Sequence, residues 1–227
     1  MKAFLQIFTS SLGKKFIMAV TGFGLVGFVI IHMLGNLQIF LGPDTLNTYA
    51  KFLKTSAEVL WAFRLGLLGM AVLHLVCAIS LVRDNIKARP ADYKKEKQLS
   101  TWASRTMILS GLIVSAFIVY HILHFTVQVT DPTYQTMTTQ LNGHDVHDVY
   151  RMVITGFSNP YISTFYIISV ALLCWHLSHG VSSMFQSVGL RNRRSAPLLD
   201  KVAIGISFVV FLGMSSVPAA VLFKFVN

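Results

Sequence analysis

The sequence predicts an all-α integral membrane bundle of five transmembrane helices, and three observations predict it. Hydrophobic residues fill 54% of the 227 positions and charged residues only 12%, about half the charge of an ordinary soluble domain. Mean hydropathy is +0.62. Five apolar stretches, roughly 16–40, 61–82, 106–129, 161–185 and 202–225, each reach the length of about 20 residues that crosses a bilayer. They leave no room for a separate soluble domain, so residues 1–227 read as one transmembrane domain.

The first stretch outruns the apolar core of a cleavable signal peptide and lacks a small-x-small cleavage site, so it is expected to stay in the mature chain. After it, Pro43-Asp44-Thr45 is a helix start, and Leu46, Tyr49, Phe52 and Leu53 form an apolar stripe. That pattern predicts an interfacial helix. The segment 83–104 is a charged loop containing Ala88-Arg89-Pro90. In the loop 130–160, Val146, Val149, Tyr150 and Val153 recur at helical spacing and predict a second interfacial helix.

Two motifs are rejected. Gly22-Phe23-Gly24-Leu25-Val26-Gly27 matches G-x-G-x-x-G, but it lies in a membrane span, without the strand that a dinucleotide site requires. His144-Asp145-Val146-His147-Asp148 looks like a metal tract, but in a polar loop it reads as solvated. Cys77 and Cys174 fall inside spans as small apolar residues. No C-x-x-C-H motif is present, which excludes covalent c-type haem.

The net charge of +10 reflects membrane orientation and not nucleic-acid binding. With the N-terminus in the cytoplasm, 14 of the 19 basic residues fall on the inner side. Only Lys51, Lys54, Arg64, Arg151 and Lys224 lie outside. The positive-inside rule therefore places the N-terminus in the cytoplasm and the C-terminus outside. The inner loop 83–105, with Arg89, Lys94, Lys95 and Lys97, is expected to dock a partner. None of the nine acids falls mid-span, which makes a carboxylate proton wire within the chain unexpected.

Six of the eight histidines are inside spans: His32, His74, His121, His124, His176 and His179. Ionisable groups there are costly and mark function. Imidazole is an axial ligand of haem iron, and facing helices of a bundle hold such cofactors. Depth pairs them. His32 lies about 26 Å from Lys15 along its helix and His121 about 24 Å from Arg105, so both are near the outer leaflet. His74 lies only about 14 Å from Arg83 and is deeper toward the cytoplasm, and by elimination it pairs with His176. The expectation is two b haems, one outer (His32, His121) and one inner (His74, His176). Small residues on the same faces, namely Gly24, Gly35, Gly66, Ala71, Ala78, Ser169, Gly180 and Ser183, either admit a flat macrocycle or pack helices. His124 and His179 follow the preferred ligands by three residues, about 60° round the helix. Either can replace its neighbour, or bond a haem propionate or a quinone. Glu58, Trp61 and Arg64 are further candidate quinone contacts, with Gln128 and Asn36.

An ordered set of short motifs now carries a resemblance: Ser11-Leu12-Gly13-Lys14-Lys15, His32-Met33-Leu34-Gly35-Asn36-Leu37, Asn47-Thr48-Tyr49-Ala50, Leu60-Trp61, His74, Ala88-Arg89-Pro90, His121-Ile122-Leu123-His124-Phe125, His176-Leu177-Ser178-His179-Gly180 and Phe185-Gln186-Ser187. The chain resembles the single-polypeptide, di-haem cytochrome b subunit of succinate dehydrogenase and fumarate reductase. His32, His74, His121 and His176 match that family's axial ligands. The resemblance implies a membrane anchor in the bacterial cytoplasmic membrane, with flavoprotein and iron–sulfur subunits on the cytoplasmic face. It also implies electron transfer through two b haems to a quinone, menaquinone. No flavin or iron–sulfur motif is present, so succinate is not oxidised by this chain alone. Two other readings remain open here. One is a di-haem anchor of another complex, such as a formate dehydrogenase or hydrogenase. The other is a haem-free transporter relaying protons through its histidines.

Overall fold

A backbone in hydrocarbon has no water to bond, so an apolar stretch of span length has to close its hydrogen bonds within itself. The computed structural model, which describes residues 10–88 and 102–227, follows that rule. The chain runs through α1 (Ser11–Leu37), a 3-10 turn (Gln38–Leu41), α2 (Pro43–Leu53), α3 (Ala57–Lys87), α4 (Trp102–His121), a π-helical segment (Ile122–Val127), a second 3-10 turn (Pro132–Thr136), strands β1 (Thr138–Leu141) and β2 (His144–His147), α5 (Val149–Phe157), α6 (Pro160–Ser187) and α7 (Ala196–Leu222). Five of these, α1, α3, α4 with its continuation, α6 and α7, are long and apolar enough to cross a membrane. Only 11–33% of the apolar window of each is buried. Exposed side chains such as Phe23, Leu65, Ile204 and Phe208 therefore need an apolar medium outside the protein.

Polar caps set the helix limits. Ser10 Oγ accepts from the Gly13 amide at 3.1 Å and starts α1 five residues before the apolar stretch 16–40. Asn159 Oδ1 accepts from the Tyr161 amide at 2.9 Å ahead of α6. Asn192 Oδ1 accepts from the amides of Arg194 and Ser195 at 2.9 Å, so α7 begins at Ala196, ahead of the expected 202. Lys224 takes a left-handed φ of 59° beyond its end. Ser10 and Asn159 each satisfy a first-turn amide that the helix cannot.

The described chain packs as two compact units, one within Met1–Phe28, Leu65–Leu112 and Trp175–Ser207, the other within Val29–Arg64, Ile113–Cys174 and Phe208–Asn227. In the first unit Lys14 and Asp84 form a 2.6 Å ion pair between the start of α1 and the end of α3. Asp200 accepts from the Ser182 hydroxyl and from Arg191 at 3.1 Å, which fixes the turn from α6 to α7. Arg89, Lys94, Lys95 and Lys97, expected to dock a partner, lie outside the described residues.

In the second unit the helix predicted from Pro43 is present as α2, with Pro43 at its first turn. Its stripe is only partly buried: Leu46 is inside, whereas Phe52 and Leu53 are exposed. The expected helix through Val146 is corrected. Asn142 and Gly143 both take positive φ, 53° and 76°, the two-residue turn that matches strand twist. They close a hairpin pairing Thr138 with His147 and Leu141 with His144. Val146 therefore belongs to β2, and the helix starts at Val149. Asn47, buried in α2, donates to Asp148 Oδ1 at 3.0 Å, and its oxygen accepts from the Tyr150 amide at 3.0 Å. The same Asp148 oxygen caps α5 through the Arg151 amide.

Beneath the hairpin, Ile39, Tyr134, Met152, Phe157, Tyr166 and Val217 form the core. Gly156 belongs to it because a methyl there would lie 2.9 Å from the Phe125 ring and 3.1 Å from the Tyr134 hydroxyl. Gly156→Ala is expected to cost about 1–3 kcal/mol through overpacking. Gly205, with nothing within 4 Å of an added methyl, serves as the control, and Gly205→Ala should be neutral or up to about 1 kcal/mol stabilising. Thermal unfolding of both variants in detergent checks the contrast.

Candidate functional site

Each unit holds one pair of span histidines drawn from different helices. In the first unit, His74 on α3 has its Nδ1 3.1 Å from the Thr21 hydroxyl of α1. His176 on α6 has its Nδ1 3.1 Å from the Ser110 hydroxyl of α4. The two histidines are near enough to interact electrostatically. Methyl groups added at Gly22 and Gly111 would lie 3.3 Å from the Cε1 atoms of His74 and His176 respectively. Gly66 and Gly180 border open space, with nothing within 4 Å of an added methyl.

In the second unit, His32 of α1 and His121 of α4 meet edge to face, with ring centres 5.7 Å apart and an interplanar angle of 81°. The Asn36 amide donates to the His32 carbonyl at 2.8 Å and lies 3.3 Å from His32 Nε2. His121 Nδ1 is buried and has no hydrogen-bond partner among the described residues. Phe117, Phe125 and Tyr166 surround its ring.

His124, three residues on, has a different environment. It is 1% exposed. Its Nδ1 bonds the Tyr166 hydroxyl at 2.8 Å and its Nε2 the Tyr134 hydroxyl at 3.2 Å. Both ring nitrogens are therefore engaged by protein, in contrast to His121. In the first unit His179 sits close to His176 and within the field of Asp200 and Arg191.

The donor sets fit a haem iron. Two imidazoles from facing helices are a standard axial pair. His32 and His121 come from different helices and bring their rings to within 5.7 Å of each other, centre to centre. The unpartnered His121 Nδ1 is the kind of buried polar atom that demands an explanation. For His74 and His176, the bonded Nδ1 atoms leave the opposite ring nitrogens for the same group. Gly24 and Gly35 serve packing instead, against Met70 Sδ and the Tyr49 ring.

The remaining quinone candidates occupy separate settings. Glu58 is exposed in the first turn of α3, where its carboxylate accepts from the Ser56 hydroxyl at 3.0 Å. Arg64 stacks over Trp61 at 5.2 Å. Gln128, left-handed at φ 63°, ends the π segment and directs its amide at His147 Nε2 and Met152 Sδ, each at 3.0 Å. Thr21, Ser110 and Gly111 were not singled out from sequence, and Gly22 entered only through the rejected G-x-G-x-x-G match. Their signal is a hydroxyl residue followed by glycine in the middle of an apolar span. Tyr134 and Tyr166 carried no such signal.

A family model described as Succinate dehydrogenase/Fumarate reductase transmembrane subunit matches residues 83–214, more than half of the chain. No curated protein and no solved structure gives a significant match.

Two outcomes follow from these contacts. His124→Leu leaves two buried tyrosine hydroxyls without their partner and should cost about 1–3 kcal/mol, with Tyr166→Phe, which breaks one bond, costing less. Thermal unfolding checks the order. His147, outside the spans, is held below the ordinary histidine value of 6.5 by burial and then by Lys54. The folded state therefore prefers the neutral ring, and stability present above pH 6.5 is lost as pH falls toward the lowered value. Hydrogen-exchange protection of the hairpin should drop on acidification through that window, and His147→Gln should flatten the drop.

Proposed function

The chain belongs to the succinate dehydrogenase/fumarate reductase transmembrane subunit family, and on that premise we propose that it conducts electrons as well as anchoring the complex. In this reading it is a di-haem cytochrome b. His32 and His121 hold one haem, and His74 and His176 hold the other. The observation that carries the reading is the pairing of these four histidines on facing helices, one pair in each compact unit. When bound, each haem supplies one-electron transfer. The protein holds the ring nitrogens, excludes water and sets the local field.

His121 is the preferred ligand over His124 because both nitrogens of His124 already bond tyrosines. Partners in this reading are the flavoprotein and iron–sulfur subunits, and the excess of basic residues on one side supports their docking on the cytoplasmic face. The membrane is the bacterial cytoplasmic membrane. Menaquinone is the quinone, and Glu58, Trp61 and Arg64 at the start of α3 are its proposed contacts. The described acids near helix ends, such as Glu58, Asp84 and Asp200, support turnover without a carboxylate wire through the membrane interior.

The complex purified from membranes is expected to contain succinate-oxidising subunits and, by pyridine haemochrome assay, two b haems per chain. His32→Ala and His121→Ala should erase one spectral component, and His74→Ala and His176→Ala the other. A colourless complex, or loss of a single common component in all four variants, would sink the reading.

A further inference from the structure

Two residue pairs of one kind stand against His74 and His176: Thr21-Gly22 on α1 and Ser110-Gly111 on α4. In each, the hydroxyl oxygen lies 3.1 Å from the histidine Nδ1. In each, the glycine backs the neighbouring Cε1, 3.3 Å from an added methyl. The Thr21 hydroxyl donates to the Ile17 carbonyl at 2.8 Å, and the Ser110 hydroxyl donates to the Met107 carbonyl at 3.0 Å.

A hydroxyl has one proton to give. With that proton committed to its own helix, the oxygen is left as an acceptor, and the atom facing it has to be an N–H. Nδ1 of both histidines therefore carries the proton, and Nε2 of both keeps its lone pair. The Met18 carbonyl, which can only accept, is also within reach of the His74 ring. In the second unit His32 Nε2 faces the Asn36 amide, and His121 Nδ1 has no hydrogen-bond partner among the described residues.

We infer that Thr21 and Ser110 are positioning residues that fix the tautomer of His74 and His176 and present both Nε2 lone pairs to one iron, while Gly22 and Gly111 make room for the rings. The inference rests on the di-haem reading. An acceptor on Nδ1–H makes the opposite nitrogen a stronger donor. A stronger donor favours the oxidised iron, so removing the acceptor should raise the midpoint potential of that haem alone.

The test is a spectroscopic redox titration of the haem-loaded complex. Thr21→Val and Ser110→Ala should each raise the potential of the component that His74→Ala erases. The expected change is roughly threefold in the oxidised-to-reduced ratio, about 30 mV at 59 mV per tenfold for one electron. The other component should not move. Thr21→Ser and Ser110→Thr, which keep the hydroxyl, should titrate as the parent does. Full haem content with unmoved potentials in both hydroxyl-free variants, or a shift in the other component, overturns the inference and leaves the di-haem reading standing. A parent complex without haem overturns both. If Thr21→Val does not assemble, Ser110→Ala, which adds no bulk and favours the helix, decides alone.

Discussion

A polar side chain inside a membrane span has to find its partners within the protein, on its own helix or on another, because no water is at hand. That constraint governs the contacts of the span histidines. The hydroxyls of Thr21, Ser110 and Ser207 all turn back onto carbonyls three or four residues earlier. Where one oxygen has capacity left, a histidine takes it, as at Thr21 and Ser110. The rule that makes the chain helical thus also dictates which nitrogen of a buried histidine is left over for other work.

The contrast between His121 and His124 shows how local geometry sorts similar residues. His121 closes α4, and the wider π segment starts immediately after it. The segment ends with the Val129 amide bonded to the Leu123 carbonyl and with Gln128 in the left-handed region. Such segments recur at functional sites because they redirect side chains without breaking the helix. Here His124 turns into the tyrosine-lined core while His121 faces His32.

Much of this was legible in the sequence because hydrocarbon imposes a length and a polarity that composition reveals directly. The five spans, the helix at Pro43 and the family resemblance all rest on such local signals. Even the pairing of His32 with His121 could be reasoned from rise per residue. Other features were hidden because they depend on partners distant in sequence. Val146 fits a helical stripe until Asn142 and Gly143 turn the chain back on itself. That dipeptide was the overlooked signal. Thr21 and Ser110 look like ordinary span residues until histidines 53 and 66 positions away approach them. Of the small residues that either admit a macrocycle or pack helices, Gly24 and Gly35 pack, against Met70 and Tyr49.

Neither compact unit is a continuous piece of chain. Each is assembled from three separated segments, and α7 enters the last segment of both, Trp175–Ser207 in one case and Phe208–Asn227 in the other. During synthesis, therefore, neither unit can close until the last helix has left the ribosome and entered the bilayer. The histidine-bearing helices α1, α3, α4 and α6 must wait, inserted but incompletely packed, for a helix that carries no histidine at all. A chain cut short before α7 lacks a part of both units.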